Sequence, residues 1–262
     1  MSARPFNLAT WNVNSLRVRI PHLEAWLQTT GIDAIALQET KMRDEEFPAS
    51  EVERLGLPGV WHGQRTYNGV ALLAKGTVGE VVRGIPGFVD EQARVIAGTV
   101  EGVRIIDVYV PNGQSVGSDK YAYKLRWLEA LREYLKDALQ HYEKLAVLGD
   151  FNVAPEDRDV HDPKAWEGQV LVSQPEREAL GALGALGLVD VFRRFEQPEK
   201  SYSWWDYRAA AFRRNAGLRI DLILASLSLA KACTACRIDA SPRRAERPSD
   251  HTPVIATFDL SA

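Results

Sequence analysis

Leu145-Ala146-Val147-Leu148-Gly149-Asp150-Phe151-Asn152 is the stretch on which the reading of this chain turns. Four apolar residues in a row read as a strand covered on both faces. The strand runs out into a carboxylate and an amide two positions apart, which share a side if the extended geometry continues. Such a pair can hold a water molecule and a reacting oxygen together, although Asp and Asn also favour plain turns. Leu8-Ala9-Thr10-Trp11-Asn12 echoes the pattern, and the run from Val70 to Ala74 echoes that from Ile220 to Ala225. The echoes predict one domain over residues 1–262, built of two pseudo-equivalent halves packed sheet to sheet.

Outward from that stretch, strand-like and helix-like segments alternate. Asn7 to Val13, Ala34 to Leu37, Val70 to Ala74, Val78 to Val82, Val95 to Val100, Val103 to Val110, Leu218 to Ala225 and Val254 to Phe258 read as strands. Glu101-Gly102 supplies a two-residue hairpin turn. Ile20, Leu23, Trp26 and Leu27, then Tyr121, Leu125, Leu128, Leu131, Leu135 and Leu139, recur at helical spacing, and a further helix is expected around Glu176 to Leu186. With 45% hydrophobic and 26% charged residues, the 262-residue chain has a globular balance that argues against disorder. No apolar run approaches the roughly 18 residues of a membrane span. Two cysteines, Cys233 and Cys236, make no disulfide framework and read as structural thiols. The opening Met1-Ser2-Ala3-Arg4-Pro5 has no apolar signal core, so a reducing, cytoplasmic setting is expected. The net charge of −3 leaves a nucleic-acid partner open, provided that the basic groups gather on one face.

Four more motifs place polar groups at strand ends: Trp11-Asn12-Val13-Asn14, Leu37-Gln38-Glu39-Thr40-Lys41, Gly217-Leu218-Arg219-Ile220-Asp221 and Ser249-Asp250-His251. Each alone reads as well as a solvated strand end or a turn. Together they offer carboxylate, amide and imidazole groups, a set suited to a hard cation such as Mg²⁺ or Mn²⁺ rather than zinc. Asp221 lies inside an apolar strand, where an unpaired charge is costly, so a partner is required and histidine is the natural one. No nucleophile elbow, phosphate-cradling Gly-Lys loop or dinucleotide fingerprint competes.

These motifs, with Tyr109-Val110-Pro111-Asn112-Gly113, resemble in order and wording exonuclease III and its relatives, abasic-site endonucleases and 3′ exonucleases of the endonuclease/exonuclease/phosphatase superfamily. The resemblance runs from about Asn7 to Phe258. It implies a DNase I-like, four-layer α/β sandwich: two mixed β-sheets face to face with helices outside. It implies a Mg²⁺- or Mn²⁺-dependent repair nuclease acting on double-stranded DNA as a monomer, at abasic sites and at 3′ ends. Glu39 would be the principal metal ligand, with Asn12 and Asp250 beside it. Asp150, Asn152 and His251 would take a second ion in relatives that use two. Asp150 would orient or deprotonate the attacking water, Asn152 would hold that water or the phosphate, and Tyr109 would donate its hydroxyl to the phosphate. His251 would contact a phosphate oxygen, with Asp221 fixing its tautomer. Some relatives carry aspartate where Asn14 stands.

Ser201-Tyr202-Ser203-Trp204-Trp205-Asp206-Tyr207-Arg208 is dense in aromatic rings beside arginine, a combination suited to stacking on nucleic acid. One of the two adjacent tryptophans is expected in the core and the other, taken as Trp204, toward DNA together with Arg208. The resemblance makes Leu218 and Ile220 the lining of a pocket for a base-less sugar. Lys41, Arg94, Asn112, Gln114, Lys120 and Lys124 are candidate phosphate contacts. Two other readings compete: a phosphodiesterase or phosphatase for a non-DNA phosphate ester, and a DNA-binding relative with a broken site. The first lacks the exposed apolar loops of a lipid enzyme, and the complete polar set argues against the second.

Overall fold

The computed structural model describes residues 4–261; Met1, Ser2 and Ala3 of the N-terminal run lie outside the described residues. The strands in chain order are β1 (Phe6–Asn12), β2 (Ala34–Gln38), β3 (Gly59–His62), β4 (Val70–Ala74), β5 (Gly79–Arg83), β6 (Val95–Val100), β7 (Val103–Tyr109), β8 (Leu145–Asp150), β9 (Val189–Asp190), β10 (Asp221–Ala225), β11 (Cys233–Ile238) and β12 (Val254–Phe258). The helices are α1 (Leu16–Thr29), α2 (Ala49–Arg54), α3 (Asp119–His141), α4 (Pro163–Trp166), α5 (Gln174–Gly184) and α6 (Leu227–Ala232).

The strands form two six-stranded mixed sheets, ordered β11-β12-β1-β2-β4-β3 and β5-β6-β7-β8-β10-β9. Shifted by six strands, the two orders are the same. Each sheet has one parallel pair at its centre, β1 with β2 and β7 with β8, flanked by antiparallel neighbours. The two sheets therefore share one wiring, and the first of them holds both the first and the last strand. The wiring equates β4 with β10, as the sequence echo had it. It equates β8 with β2 and β1 with β7, whereas the echo paired β1 with β8. An apolar strand with a polar end is common to all the central strands, so composition alone does not separate them.

Alternation along the strands builds four layers. Leu8, Ala34, Ala36, Val70, Leu72, Ile105, Ala146, Leu148, Ile223 and Ala256 fill the seam between the sheets. On the outer face of the first sheet, Leu16, Leu23 and Trp26 of α1 cover Trp11, Ile35 and Leu37. On the outer face of the second, Trp127, Leu128, Leu131 and Leu135 of α3 and Leu183 of α5 cover Ile106, Val108, Val147 and Leu222. Ser118 caps α3 by accepting from the Tyr121 amide at 3.1 Å, and Ser173 and Glu176 form a capping box at the start of α5.

Several sequence expectations change. The strand expected from Leu218 begins at Asp221, because Leu218 pairs instead with Trp204 and Val160 across isolated bridges. β3, β9 and β11 were not foreseen. All three are sheet edges, and β9 has only two residues. β3 is only half-buried, and β11 shifts register between Cys233 and Ala235, so neither carries a clean alternation. Cys233 and Cys236 on β11 are buried free thiols, as expected; burial pushes Cys233 up to about 11.

Candidate active site

At one end of the sandwich the seam-facing rows turn from apolar to polar. β1 ends in Thr10 and Asn12, β2 in Gln38, β7 in Asp107 and Tyr109, β8 in Asp150, and β10 enters the seam through Asp221. The register sets Tyr109 and Asp221 on either side of Asp150. Gly149 permits this close pairing: at φ +145°, a Cβ there would stand 1.9 Å from the Val108 carbonyl oxygen. Beyond the strands, Asn14, Glu39, Lys41 and Asn152 all take left-handed backbone, with φ of 44°, 54°, 56° and 48°. Such conformations are strained for side-chain-bearing residues and persist where the surroundings hold them. The extended geometry therefore does not continue past Asp150. A tight turn brings Asn152 back instead: its backbone N–H donates to Asp150 Oδ1 at 2.9 Å and its Nδ2 to Asp150 Oδ2 at 3.2 Å.

Asn12 joins the two sheets. Its Nδ2 donates to Glu39 Oε1 and to Asp150 Oδ2, both at 2.9 Å, while its oxygen accepts from the Asn14 backbone N–H at 3.0 Å. Asn12 thus presents its N–H groups to the two carboxylates. Glu39, Asp150 and His251 each offer a ligand atom within 4.8 Å of the others. Hard oxygens with one imidazole suit a divalent cation of the magnesium type. Asp250, expected beside Glu39, is not part of this group. Its Oδ1 accepts from Asn14 Nδ2 at 2.8 Å and its Oδ2 from Trp204 Nε1 at 3.0 Å.

His251 is buried, with Nδ1 2.9 Å from Asp221 Oδ2 and Nε2 3.6 Å from Asp150 Oδ2. Burial alone would lower its pKa, but the Asp221, Asp150 and Asp250 carboxylates overcome this and push it up to about 10. Burial, with the Asp221 charge nearby, pushes Asp150 up to about 7 despite the opposing pull of His251. Burial and the neighbouring Glu39 and Asp150 charges raise the Tyr109 phenol well above its ordinary value, so it remains an O–H donor. Burial works to raise Asp250, yet His251, Asn14 and Trp204 hold it below the usual carboxylate range. The site therefore combines a carboxyl that ionises near neutrality, a protonated imidazole and a neutral phenol, which is an acid–base set.

The substrate-facing expectations divide. Asn112, Gln114, Lys120, Arg94 and Tyr109 line one groove of about 820 Å³ leading away from the site, together with Tyr67, Gln92 and Tyr123, which sequence reading missed. Arg94 is only 9% exposed. It stacks 4.6 Å over the Tyr109 ring and bonds Gln92 Oε1 and the Tyr109 carbonyl. Lys41 pairs with Glu39 Oε2 at 2.8 Å and reaches Asn14 Oδ1 at 2.5 Å. Arg208 is exposed and paired with Asp206. Trp205 is buried, and Trp204 is half-buried with its ring nitrogen on Asp250.

Two assignments are corrected. Lys124 is fully buried and touches no solvent: it pairs with Glu176 and donates to the Asn152 and Asn112 carbonyls at 2.6 and 3.1 Å. A lysine set between Tyr121 and Leu128 on the apolar stripe of α3 faces inward, and that spacing was a legible signal. Leu218 and Ile220 are 0% and 1% exposed. They pack with Val160, Leu171, Val172 and Trp204 and offer DNA no surface. Sequence reading also missed Ser203, whose hydroxyl accepts from the Ile220 and Asp221 amides at 3.1 and 3.0 Å, and the buried Arg219–Asp159–Asp190 ion cluster behind it.

Similarities to known proteins agree with this geometry. The model of the Endonuclease/Exonuclease/phosphatase family matches residues 9–251. Exodeoxyribonuclease III of Haemophilus influenzae is 36% identical, covering 95% of this chain and 98% of its own. A 3′ phosphatase from Neisseria, solved with a product DNA hairpin, superposes with a TM-score of 0.95 at 44% identity, over 97% of this chain and all of that one. An AP endonuclease from Archaeoglobus fulgidus gives 0.94 at 38%, again over 97% and 100%. With two like-wired mixed sheets that place acid, base and amide groups at one end of their seam, the chain belongs to the endonuclease/exonuclease/phosphatase family, among its exodeoxyribonuclease III relatives.

Proposed function

We propose that this protein is a divalent-metal-dependent nuclease of double-stranded DNA that hydrolyses phosphate esters at 3′ ends, removing nucleotides or blocking phosphates, with incision beside abasic sites as a secondary activity. The observation that carries the reading is Asn12 bonded to both Glu39 and Asp150, with His251 on the far side of Asp150. The chain acts as a single domain, since both sheets contribute to this site, and works as a monomer in the cytoplasm. Its 3′-end preference rests on Leu218 and Ile220, whose burial closes the apolar lining that a base-less sugar would need.

Glu39 and Asp150 are the residues to hold Mg²⁺ or Mn²⁺, which when bound supplies charge neutralisation at the phosphate. His251 keeps its proton near neutral pH and so serves as a donor rather than a ligand. The chain's own groups divide the remaining work. Asp150 takes a proton from the attacking water, which Asn152 holds from the adjoining turn. The water oxygen bonds to phosphorus as the bond from phosphorus to the 3′ oxygen breaks, and the departing 3′ oxygen takes up a proton from solvent to form the 3′-hydroxyl. His251 Nε2 and the Tyr109 hydroxyl donate to the non-bridging oxygens as charge builds there. Asp221 keeps the second imidazole proton on Nδ1. Asn14 and Trp204 hold Asp250 beside them. Lys41, held by Glu39 and Asn14, would meet the incoming phosphate beside the ion, and Asn112, Gln114 and Lys120 line the path of the strand.

Product analysis on three duplexes, carrying a 3′-phosphate, a recessed 3′ end or an abasic site, tests the reading. Metal-dependent release of phosphate and nucleotides that exceeds abasic incision supports it. Incision as the fastest reaction would overturn the 3′-end preference. Hydrolysis of a non-DNA phosphate ester with no action on any duplex would overturn the DNA reading as a whole.

A further inference from the structure

Between the apolar seam and the site lies one thin polar layer that the mechanism does not use: Thr10, Gln38 and Asp107, all fully buried. Thr10 and Gln38 sit on adjacent parallel strands of the first sheet, and Asp107 faces them from β7 of the second. Gln38 Nε2 donates to Thr10 Oγ1 at 2.9 Å and across the seam to Asp107 Oδ1 at 2.7 Å. That uses both amide hydrogens. Two acceptors are then left buried without any donor, Gln38 Oε1 and Asp107 Oδ2. They belong to the very side chains that already share one hydrogen bond.

Two unpartnered buried acceptors on facing groups are costly, and an ionised carboxylate among them more so. Among the described residues no lysine, arginine or histidine forms an ion pair with Asp107. Arg94 on the neighbouring strand segment is taken by Gln92 and Tyr109. The other ionisable groups on the elements around the layer, Glu39, Tyr109 and Asp150, are acids, and none supplies a positive charge to offset an ionised Asp107. One proton removes every conflict. The geometry points to a cyclic acid–amide pair across the seam, in which Asp107 donates from Oδ2 to Gln38 Oε1 while Gln38 Nε2 donates to Asp107 Oδ1, so that Asp107 is a neutral positioning residue for the site above it. Burial raises the Asp107 carboxyl well above the usual range, against the pull of the Gln38 bond and of the nearby Ala71 amide, in agreement with this.

The pair has a consequence for chemistry. Gln38 immediately precedes Glu39, whose backbone is left-handed, and Asp107 lies two residues before Tyr109 on the same face of β7. The acid–amide pair therefore sets the spacing between the strand ends that carry Glu39 and Tyr109. An ionised Asp107 would lose its second bond to Gln38.

The test has a spectroscopic arm and a kinetic arm. In protein labelled with ¹³C at the aspartate side-chain carboxyls, the resonance lost in Asp107→Asn is assigned to Asp107. It should stay at the protonated-acid position from pH 5 to pH 8, by contrast with the surface aspartates. A resonance at the ionised position at neutral pH overturns the pair, whatever the enzyme acts on. Asparagine reproduces both hydrogen bonds of the protonated acid, so Asp107→Asn should retain kcat within about threefold. Asp107→Val removes them and should lower kcat about tenfold or more with KM for duplex DNA little changed. The kinetic arm rests on the proposed activity, but the spectroscopic arm does not, so the two can fail separately. An unaltered kcat in Asp107→Val with a protonated wild-type resonance would leave the pair and overturn its positioning role. Should the valine variant not fold, Gln38→Glu, which puts a second acid in the layer, should move the Asp107 resonance and lower kcat; no change in either overturns the proposal.

Discussion

Asp221 Oδ2 lies 2.9 Å from His251 Nδ1, and both side chains are buried, 5% exposed for the imidazole and 0% for the carboxylate. This is the partner that a carboxylate inside an apolar strand required. Asp221 itself is steadied by the Ser203 hydroxyl, which binds its backbone amide, so the imidazole is oriented from a rigid strand.

Asp221→Asn should lower kcat strongly and move the basic limb of the pH–rate profile downward. The sign follows from the charges: His251 is raised to about 10 by the carboxylates that overcome its burial, and Asp221 is the largest of these. Without it the imidazole loses its proton at lower pH. Because the two act as a unit, Asp221→Asn combined with His251→Ala should be little worse than His251→Ala alone. Additive losses in this double-mutant cycle would separate them.

The metal-free protein should lose stability as pH rises. Asp150 has a folded pKa near 7, above its ordinary 3.8, so its neutral form favours the fold; that contribution is whole below about pH 4 and is gone once pH passes 7. His251 acts in the same direction between its ordinary 6.5 and about 10. Melting temperature measured in chelator should fall from pH 5 to pH 9, and Asp150→Asn should flatten the portion below pH 7 while abolishing activity. A wild-type profile that rises over this range would contradict the assignment.

Glu39→Gln should keep the fold and weaken binding of the divalent ion, read by calorimetry, along with cleavage. Glu39 contributes one of the two carboxylates in the cluster, and an amide oxygen is a poorer ligand for a hard cation. Cleavage within about tenfold of wild type, under ~2 kcal/mol of barrier, would remove Glu39 from the ion.

Lys124→Met should cost stability rather than DNA affinity. The ammonium is buried against Glu176 and holds the Asn112 and Asn152 carbonyls. Removing it strands a buried carboxylate, a loss of about 3–5 kcal/mol. The salt dependence of duplex binding should be unchanged, since a group without solvent exposure neutralises no phosphate. A shallower salt slope in a protein of normal stability would restore Lys124 to the DNA face.

Trp204→Phe separates two roles of one ring. Phenylalanine keeps an aromatic face but cannot donate to Asp250 Oδ2. Loss of that hydrogen bond should raise the Asp250 pKa from its lowered position and reduce kcat, with duplex affinity held. Trp204→Ala should also weaken binding, by about 1–3 kcal/mol if a base or sugar stacks there. Equal effects of both substitutions on affinity would exclude stacking.

Much of this protein was legible in residue order. Strand ends announced themselves because an apolar run in a buried sheet must stop where its polar residues begin, and Asn12, Glu39, Asp150 and Asp221 all stand at such stops. The need of Asp221 for a partner followed from the cost of a buried charge alone. Periodicity along α3 also held the inward position of Lys124, although it was read as a phosphate contact. Most of the other facts depend on contacts between residues 27 to 236 positions apart, which no local pattern records. The Asn12 amide bridges Glu39 and Asp150, and so is spent on organising carboxylates. Asp250 is held by Asn14 and Trp204, away from the ion cluster. Asn152 returns to Asp150 through left-handed backbone, where an extended strand would have carried it off. The central strands are alike in composition, so only hydrogen-bond registers distinguish β1 from β2 as the counterpart of β8. Side-chain chemistry and spacing select which groups can meet at the end of the seam; the packing of one sheet against the other selects which of their atoms are free to react.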